Sequence, residues 1–290
     1  MADTLVHAVP DPAPLEEHRR APRVRRTPTT YVLRFVATAY LFLLVAWPVS
    51  LVVVNTFDDG FGSIGSLLAD PDMVVALQLS AYVAVWSVVI NTLFGVGISL
   101  LLVRYEFPGK RLLNALLDIP LSVSPIVVGL ALVLVYGGRN GWFGPTLAGW
   151  GFQVIFSTPG IIMATTFVAL PLMIREIVPV LEEVGIEQEQ AAESLGASAA
   201  QRFWRITLPS IKWGIVYGVV LTLARSLGEF GAVKVVSGNV LGQTRTATLA
   251  VEEKYLNFDP QGAYATAFLL AMVSVACIVV VAIIRPKNHA

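Results

Sequence analysis

The residues with the clearest chemical potential are two opposite charges, Arg225 and Glu229, in an otherwise apolar stretch of the chain. If that stretch is helical, the four-residue spacing places both side chains on one face, where they can form an ion pair. Ionisable groups at membrane depth are costly and usually face a bundle interior or a water-filled cavity. Three interpretations stay open: a structural ion pair, a path or gate in which Arg225 attracts an anion, or a pair at the membrane interface.

Residues that commonly carry catalysis or bind metals are almost missing from the body of the chain. The three histidines lie in the terminal tails, and the single cysteine, Cys277, cannot form an internal disulfide. The run 104–111 contains Gly-Lys but lacks the first glycine and the Ser/Thr of a phosphate-binding loop, and Gly95-Val-Gly97 lacks the third glycine of a dinucleotide-binding turn. We therefore expect no catalytic residue, no metal site and no cofactor on this chain.

The composition indicates what kind of protein must position these groups. Of the 290 residues, 56% are hydrophobic and 14% are charged, and the mean hydropathy is +0.71. Soluble domains contain about 25% charged residues, so this chain falls outside that class. Twenty Lys and Arg residues balance twenty Asp and Glu residues, which excludes nucleic-acid binding driven by excess positive charge. The sequence predicts an all-α integral membrane protein.

Long apolar runs in a membrane protein are expected to be helices, because lipid offers no hydrogen-bond partners to the backbone. About 20 apolar residues cross the hydrocarbon core. The ends of two candidates are open, since Pro159 and Pro171 interrupt the fourth, and Arg225 and Glu229 interrupt or follow the fifth. The sequence contains six candidate transmembrane helices: 31–54, 73–103, 112–136, 154–174, 211–227 and 264–284.

Six crossings place both termini on one side of the membrane, and the basic residues indicate which side. With the termini in the cytoplasm, fifteen Lys and Arg residues fall in cytoplasmic segments. Four fall outside: Arg139, Lys234, Arg245 and Lys254. Because positive residues are enriched in cytoplasmic loops, we expect a multi-pass protein of the plasma (inner) membrane with cytoplasmic N and C termini.

The sequence divides into four parts. Residues 1–30 are rich in Pro, Ala and Arg and lack apolar periodicity, so we expect a disordered cytoplasmic tail that can contact anionic membrane lipid. Residues 31–72 hold the first transmembrane helix and an external loop. Residues 73–285 form the main membrane core, and residues 286–290 form a short cytoplasmic tail.

The third candidate helix begins with an unusual cluster of prolines and serines. Pro120 and Pro125 each lack a backbone donor, and the hydroxyls of Ser122 and Ser124 can bond to carbonyls that the prolines leave free. This segment is either a hinge or a tolerated kink. We include Ser122 and Ser124, together with the charged pair, among the candidate residues of a translocation path or gate. Asp118 is expected to cap a helix end or to form an ion pair.

Small or polar residues recur every four positions in three candidate helices and so lie on one face of each. Such faces allow helices to pack closely and to hydrogen-bond, so we expect packing, with path lining as the alternative for the polar faces. The sets are Ser87, Asn91, Gly95 and Ser99 in the second helix, Gly214, Gly218, Thr222 and Ser226 in the fifth, and Ala263, Ala267 and Ala271 in the sixth.

The loop 181–210, between the fourth and fifth candidate helices, is charged and too polar to cross a membrane. A first helix is expected over about 186–195, ended by Gly196 in the left-handed C′ conformation. Ser198 and Gln201 have the spacing of a capping box, which predicts a second short helix. Two short helices joined by a glycine form a compact element that suits docking to a soluble partner.

The same loop carries a longer pattern, which resembles the EAA loop of ABC-importer permeases, E-A-A-x3-G-x9-I-x-L-P. Its spacing agrees throughout, and six of the seven defined residues match. Gln190 stands where the family has glutamate, with Glu189 beside it. The resemblance implies that the following residues couple the chain to an ATPase: Glu189, Gln190, Ala191, Ala192, Gly196, Ile206, Leu208 and Pro209.

Outside the loop, the stretches 167–180, 217–222 and 225–238 resemble the sulfate/thiosulfate permeases, in particular their W-type subunit. The Arg-x-x-Gly-Glu-Phe-Gly stretch that starts at Arg225 is shared with molybdate permeases and marks the oxyanion group. The resemblance implies a type I ABC importer permease (MetI-like) fold with six transmembrane helices.

The function implied by this resemblance is ATP-driven import of sulfate, and of thiosulfate, by a permease subunit that is not itself an enzyme. The implied partners are a T-type permease subunit, an ABC ATPase dimer that holds ATP and Mg²⁺, and an external sulfate-binding protein; pairing of two copies of this chain stays open. A molybdate or other oxyanion permease is the alternative within this class. A secondary transporter coupled through Arg225 and Glu229, or a membrane-embedded enzyme, is the alternative outside it.

Overall fold

The computed structural model describes residues 28–58 and 60–284, which are mostly helical and contain no strand. Most of the two predicted tails, 1–30 and 286–290, lies outside the described residues. Residues 28–30 are described, and they already belong to the first helix. The helices of the described residues are α1 (Pro28–Thr56), α2 (Gly62–Ala69), α3 (Pro71–Arg104), α4 (Lys110–Ser122), α5 (Pro125–Tyr136), α6 (Gly144–Gly149), α7 (Thr158–Val184), α8 (Glu187–Ser194), α9 (Ala199–Ser210), α10 (Lys212–Leu227), α11 (Gly231–Val236), α12 (Ala247–Leu256) and α13 (Pro260–Ile284).

The chain divides into two compact units, Met1–Val49 and Ser50–Ala290. The described part of the first unit is the apolar beginning of α1, in which Phe42–Ala46 forms a π-helical turn and the Phe42 and Trp47 rings lie 6.2 Å apart. The helices from α2 onward belong to the second unit, which contains the functional residues discussed below.

Three helices in the described residues, α1, α3 and α7, are long and apolar enough to cross a membrane. Two bent pairs, α4 with α5 and α9 with α10, pass the same test when each pair is taken together, which gives up to five spans. The apolar part of α13 contributes Pro260–Ala276. The multi-pass membrane character is therefore clear from the helices, while the number of six crossings stays a prediction.

The third predicted span, 112–136, is interrupted at the cluster of prolines and serines where a hinge or a kink was predicted. Helix α4 and helix α5 meet at an angle of 114°, and the two residues between them, Val123 and Ser124, have extended backbone. The physical reason is Pro125, because a proline ring disfavours the helical conformation of the residue before it. The expected kink is thus a sharp break.

The fourth span is longer than predicted at one end. Helix α7 begins at Thr158, four residues after the expected start, and runs on to Val184. Pro159 fits because the first turn of a helix needs no backbone donor at that position. Pro171 and Pro179 lie inside the helix without ending it, so an internal proline was a poor marker of the span's end.

The centre of the second unit is formed by α3, α7 and α10, which pack against one another around Met173. Its side chain is fully buried. A Cβ atom added to Gly95 would lie 2.5 Å from Met173 Cγ, and one added to Gly218 would overlap Met173 Sδ. The polar and small residues predicted to share one face in α3 and α10 are all buried, as the packing interpretation predicts. The alanine set differs, since Ala263 is buried and Ala271 is exposed.

A second close contact joins α5 to α11. A Cβ atom on Gly129 would lie 2.9 Å from the carbonyl oxygen of Ala232, and one on Gly231 would lie 3.1 Å from Pro125 Cβ. Small residues at these positions let the two short helices approach closely. The break between α4 and α5 therefore lies beside the turn that follows α10.

Candidate functional site

The first candidate site is the 181–210 loop, and its glycine turn has the predicted geometry. Helix α8 ends at Ser194, and Gly196 has φ +86°. The Gly196 N–H donates to the Glu193 carbonyl (2.8 Å), and the Ala197 N–H donates to the Ala192 carbonyl (3.0 Å). These two bonds form a Schellman motif, which satisfies carbonyls that the helix end leaves free. The predicted left-handed role of Gly196 is confirmed.

The second helix of this loop starts with the predicted capping box. The Ser198 N–H donates to Gln201 Oε1 (2.9 Å), and the Gln201 N–H donates to Ser198 Oγ (3.3 Å). Arg202 Nη1 then lies 2.5 Å from Glu193 Oε2 and ties the second helix to the first. Within α9, Phe203–Thr207 forms a π-helical turn that the sequence pattern did not predict.

The loop is joined to the membrane helices by a network around Arg104, at the end of α3. Arg104 Nη2 donates to the Gly185 carbonyl (2.6 Å) and to Glu189 Oε1 (3.1 Å), and Nη1 donates to the Leu181 carbonyl (3.3 Å). Glu189 Oε1 also accepts from Thr207 Oγ1 at 2.9 Å. Sequence reasoning missed the roles of Arg104 and Thr207, because Arg104 lies 85 residues before Glu189 and no local pattern connects them.

The predicted coupling residues fall into two groups by exposure. Gln190, Ala191 and Pro209 are exposed, whereas Glu189, Ala192, Ile206 and Leu208 are half-buried. Large apolar side chains beside the exposed group also face outward: Leu195 is 89% exposed and Trp204 is 66% exposed. Exposed apolar residues of this size on a polar loop are typical of a protein-binding surface.

The second candidate site is the charged turn after α10. Helix α10 ends at Leu227, so Glu229 lies beyond the helix and not on it. Arg225 Nη1 and Glu229 Oε2 are nevertheless 2.7 Å apart, although the two atoms lack hydrogen-bond alignment. Glu229 Oε1 accepts from the Ala232 N–H (3.0 Å), and its carbonyl accepts from Thr248 Oγ1 (2.9 Å). The predicted ion pair is present, although Glu229 lies in the turn after the helix and not in the same helix as Arg225.

The two partners of this pair differ strongly in exposure. The Glu229 side chain is 1% exposed and the Arg225 side chain is 37% exposed. The carboxylate is therefore held inside the protein by Ala232 and by the arginine, while part of the guanidinium reaches the surface.

The two predicted serines lie near this turn without bonding to it. Ser122 Oγ donates to the Asp118 carbonyl (3.2 Å), and Ser124 begins α5 without a side-chain cap; both are exposed. Among the described residues, no hydrogen bond or ion pair joins either serine to Arg225 or Glu229. Asp118 Oδ1 forms an ion pair with Arg175 Nη2 at 2.8 Å, which is one of the two roles predicted for Asp118.

Comparisons with known proteins agree with this architecture. The sulfate transport system permease protein CysW of Synechocystis sp. (strain PCC 6803) is 46% identical over 258 residues, covering 89% of this chain and 93% of that protein. CysW of Escherichia coli K12 is 42% identical over 234 residues (81% and 80% covered), and the permease protein CysT of the same strain is 35% identical over 239 residues (82% and 86%).

The fold is also found in a solved structure. A bacterial ABC transporter involved in the import of the acidic polysaccharide alginate superimposes with a TM-score of 0.74 at 14% sequence identity, covering 90% of this chain and 96% of that one. This likeness supports the predicted all-α ABC importer permease fold. Residues 91–288 match the family model described as "Binding-protein-dependent transport system inner membrane component". The chain is therefore a member of this family of inner-membrane transport components.

Proposed function

We propose that this chain is the permease subunit of an ATP-driven importer that moves sulfate, and thiosulfate, into the cytoplasm. The observation that carries the proposal is the 46% identity, over nearly the whole of both chains, to a sulfate permease of the W type. The higher identity to the W-type than to the T-type protein of one organism favours the W-type role. A heterodimer of this chain with a T-type subunit follows from that assignment.

The energy for transport comes from a separate ATPase dimer, which holds ATP and Mg²⁺. Its contact on this chain is the exposed surface of the 181–210 loop, which includes Gln190, Ala191, Leu195 and Trp204. The termini and this loop lie in the cytoplasm, as the distribution of Lys and Arg favours. An external sulfate-binding protein delivers the anion on the opposite side.

The charged turn supplies positive potential to the path. Sulfate is a dianion, and a guanidinium held beside a buried carboxylate is fixed in place yet still partly exposed. Glu229 orients Arg225, and Ser124 offers a hydroxyl donor at the break between α4 and α5, whereas the Ser122 hydroxyl donates to the Asp118 carbonyl. The alternative for this turn is a purely structural ion pair.

Uptake of ³⁵S-sulfate by a strain that lacks only this chain tests the proposal. We expect uptake to be lost and to return when the chain is supplied from a plasmid. Competition with unlabelled molybdate distinguishes the two oxyanions, because a sulfate permease system is inhibited far more by unlabelled sulfate. Unchanged sulfate uptake together with lost molybdate uptake would replace sulfate by molybdate in the proposal.

A further inference from the structure

The Arg104 side chain links α3 to two other segments of the chain, and the function proposed above gives it no role. Its side chain is 11% exposed, and its three acceptors come from two segments: the end of α7 supplies the carbonyls of Leu181 and Gly185, and α8 supplies Glu189. Through Glu189, the network reaches Thr207 in α9, which is buried. One side chain at the end of α3 thus holds α7, α8 and α9.

The chemistry of this network requires an arginine. The carbonyls of Leu181 and Gly185 lie at the end of α7, where helix carbonyls lack intrahelical donors, and a cation there is favoured by the helix dipole. A planar guanidinium can bond to both carbonyls and to a carboxylate at once, which a lysine ammonium at the end of a flexible chain does less well. Because the groups are mostly buried, solvent screens these bonds little.

The same network keeps the Glu189 carboxylate engaged inside the chain. Glu189 Oε1 already accepts two bonds inside the chain, from Arg104 and from Thr207. Gln190, next to it, is exposed. The neutral amide of Gln190 therefore faces outward, whereas the carboxylate of Glu189 is used to fix the loop on the membrane helices.

We infer that Arg104 is a positioning residue that fixes the 181–210 loop relative to α3 and α7, so that movement of the loop by a docked ATPase is passed to the membrane helices. This inference rests on the proposed function, since it assumes an ATPase on the loop. The inference adds Arg104 to the coupling residues. Arg104 lies outside the loop and outside the EAA pattern by which the loop was recognised.

The test measures transport and ATP hydrolysis in the same proteoliposomes, which contain the complete complex with its binding protein. Arg104→Gln leaves the exposed loop surface unchanged, so the complex is expected to assemble and to hydrolyse ATP. Sulfate transported per ATP hydrolysed should fall about tenfold, as expected for loss of a coupling interaction between two sites. Lys110→Gln is the matched control, because it removes a basic residue six positions away whose only ion pair in the described residues is a local one, with the exposed Glu106 four positions before it. Its ratio should equal that of the unaltered complex.

A second pair of variants keeps the inference testable if Arg104→Gln does not assemble. Thr207→Val removes the hydroxyl that bonds to Glu189, while Thr207→Ser keeps it. We expect a lower ratio of transport to hydrolysis for Thr207→Val than for Thr207→Ser. Equal ratios for these two variants, or an Arg104→Gln complex with the unaltered ratio, would overturn the inference.

A distance measurement separates this inference from the proposed function. Spin labels at Leu101 in α3 and Ala200 in the loop, both exposed and neither named in the ATPase contact, are placed in the complete complex with Cys277 replaced by serine. Arg104→Gln should broaden the distribution of distances between the labels, whatever anion is transported. An unchanged distribution contradicts the positioning role, whereas absent sulfate uptake with a broadened distribution contradicts only the proposed substrate.

Discussion

At the scale of single residues, the charged turn shows how one ion pair can serve structure, transport or both. Glu229 is almost fully buried and has two partners, Arg225 and the Ala232 N–H. Sequence reasoning predicted the pair from its spacing, and it also placed the end of the fifth candidate helix at Leu227, where α10 ends. It could not predict that the Glu229 carboxylate accepts from the Ala232 N–H, or that the Glu229 carbonyl accepts from Thr248 Oγ1, which lies 19 residues further along the chain.

The pair makes a prediction about two variants. Arg225→Gln alone strands a buried carboxylate, which costs about 3 kcal/mol, so we expect poor assembly with the partner subunits. Arg225→Gln combined with Glu229→Gln removes both charges and keeps an oxygen that accepts from Ala232, so assembly should recover. Sulfate uptake should stay well below the unaltered level, because the positive potential is gone. Assembly and uptake are measured in one membrane preparation, and uptake that recovers together with assembly would leave the pair a purely structural role.

At the scale of elements, the 181–210 loop was well predicted because its signals are local. Gly196, Ser198 and Gln201 determine the ends of α8 and α9 through bonds between residues at most five positions apart. The Arg104 network was not predicted, since its partners are far apart in the sequence and meet only after α3 and α7 pack. The prolines and serines of the third span predicted a hinge or a kink from local sequence, and the structure has a 114° bend at that place.

The glycine turn of the loop gives a second prediction. Gly196→Ala introduces a Cβ atom that meets nothing within 4 Å, so its cost comes from the positive φ alone and is about 1–2 kcal/mol. We expect weaker copurification with the ATPase and less transport. Gly196→Asn should be milder, because asparagine tolerates this conformation better than other residues with a side chain. Equal effects of the two variants would mean that the backbone conformation is not the cause.

The contact between α3 and α7 gives a third prediction. Gly95→Ala places a Cβ atom 2.5 Å from Met173 Cγ, and such overpacking costs about 1–3 kcal/mol. The variant should unfold at a lower temperature in detergent. Gly97→Ala is the control from the same helix, since a Cβ atom there meets nothing within 4 Å. A thermal shift of the same size in both variants would argue against Met173 as the centre of this packing.

At the scale of the whole molecule, composition and charge predicted a multi-pass helical membrane protein, and family membership agrees with that architecture. The orientation is tested by cysteines introduced into a Cys277→Ser background. A membrane-impermeant thiol reagent added to intact cells should label Cys at Trp142 and Gln243, which are exposed, and should not label Cys at Ser198. Labelling at Ser198 from outside would place the 181–210 loop on the wrong side for an ATPase.

We propose that ATP hydrolysis on partner subunits drives sulfate through this chain. The most direct test of this proposal is ³⁵S-sulfate uptake into proteoliposomes that contain this chain, its partner permease subunit and the ATPase, with binding protein on one side and ATP on the other. We expect uptake to require both ATP and the binding protein and to persist when an ionophore collapses the proton gradient. Uptake that follows the proton gradient and continues without ATP would contradict it and identify a secondary transporter.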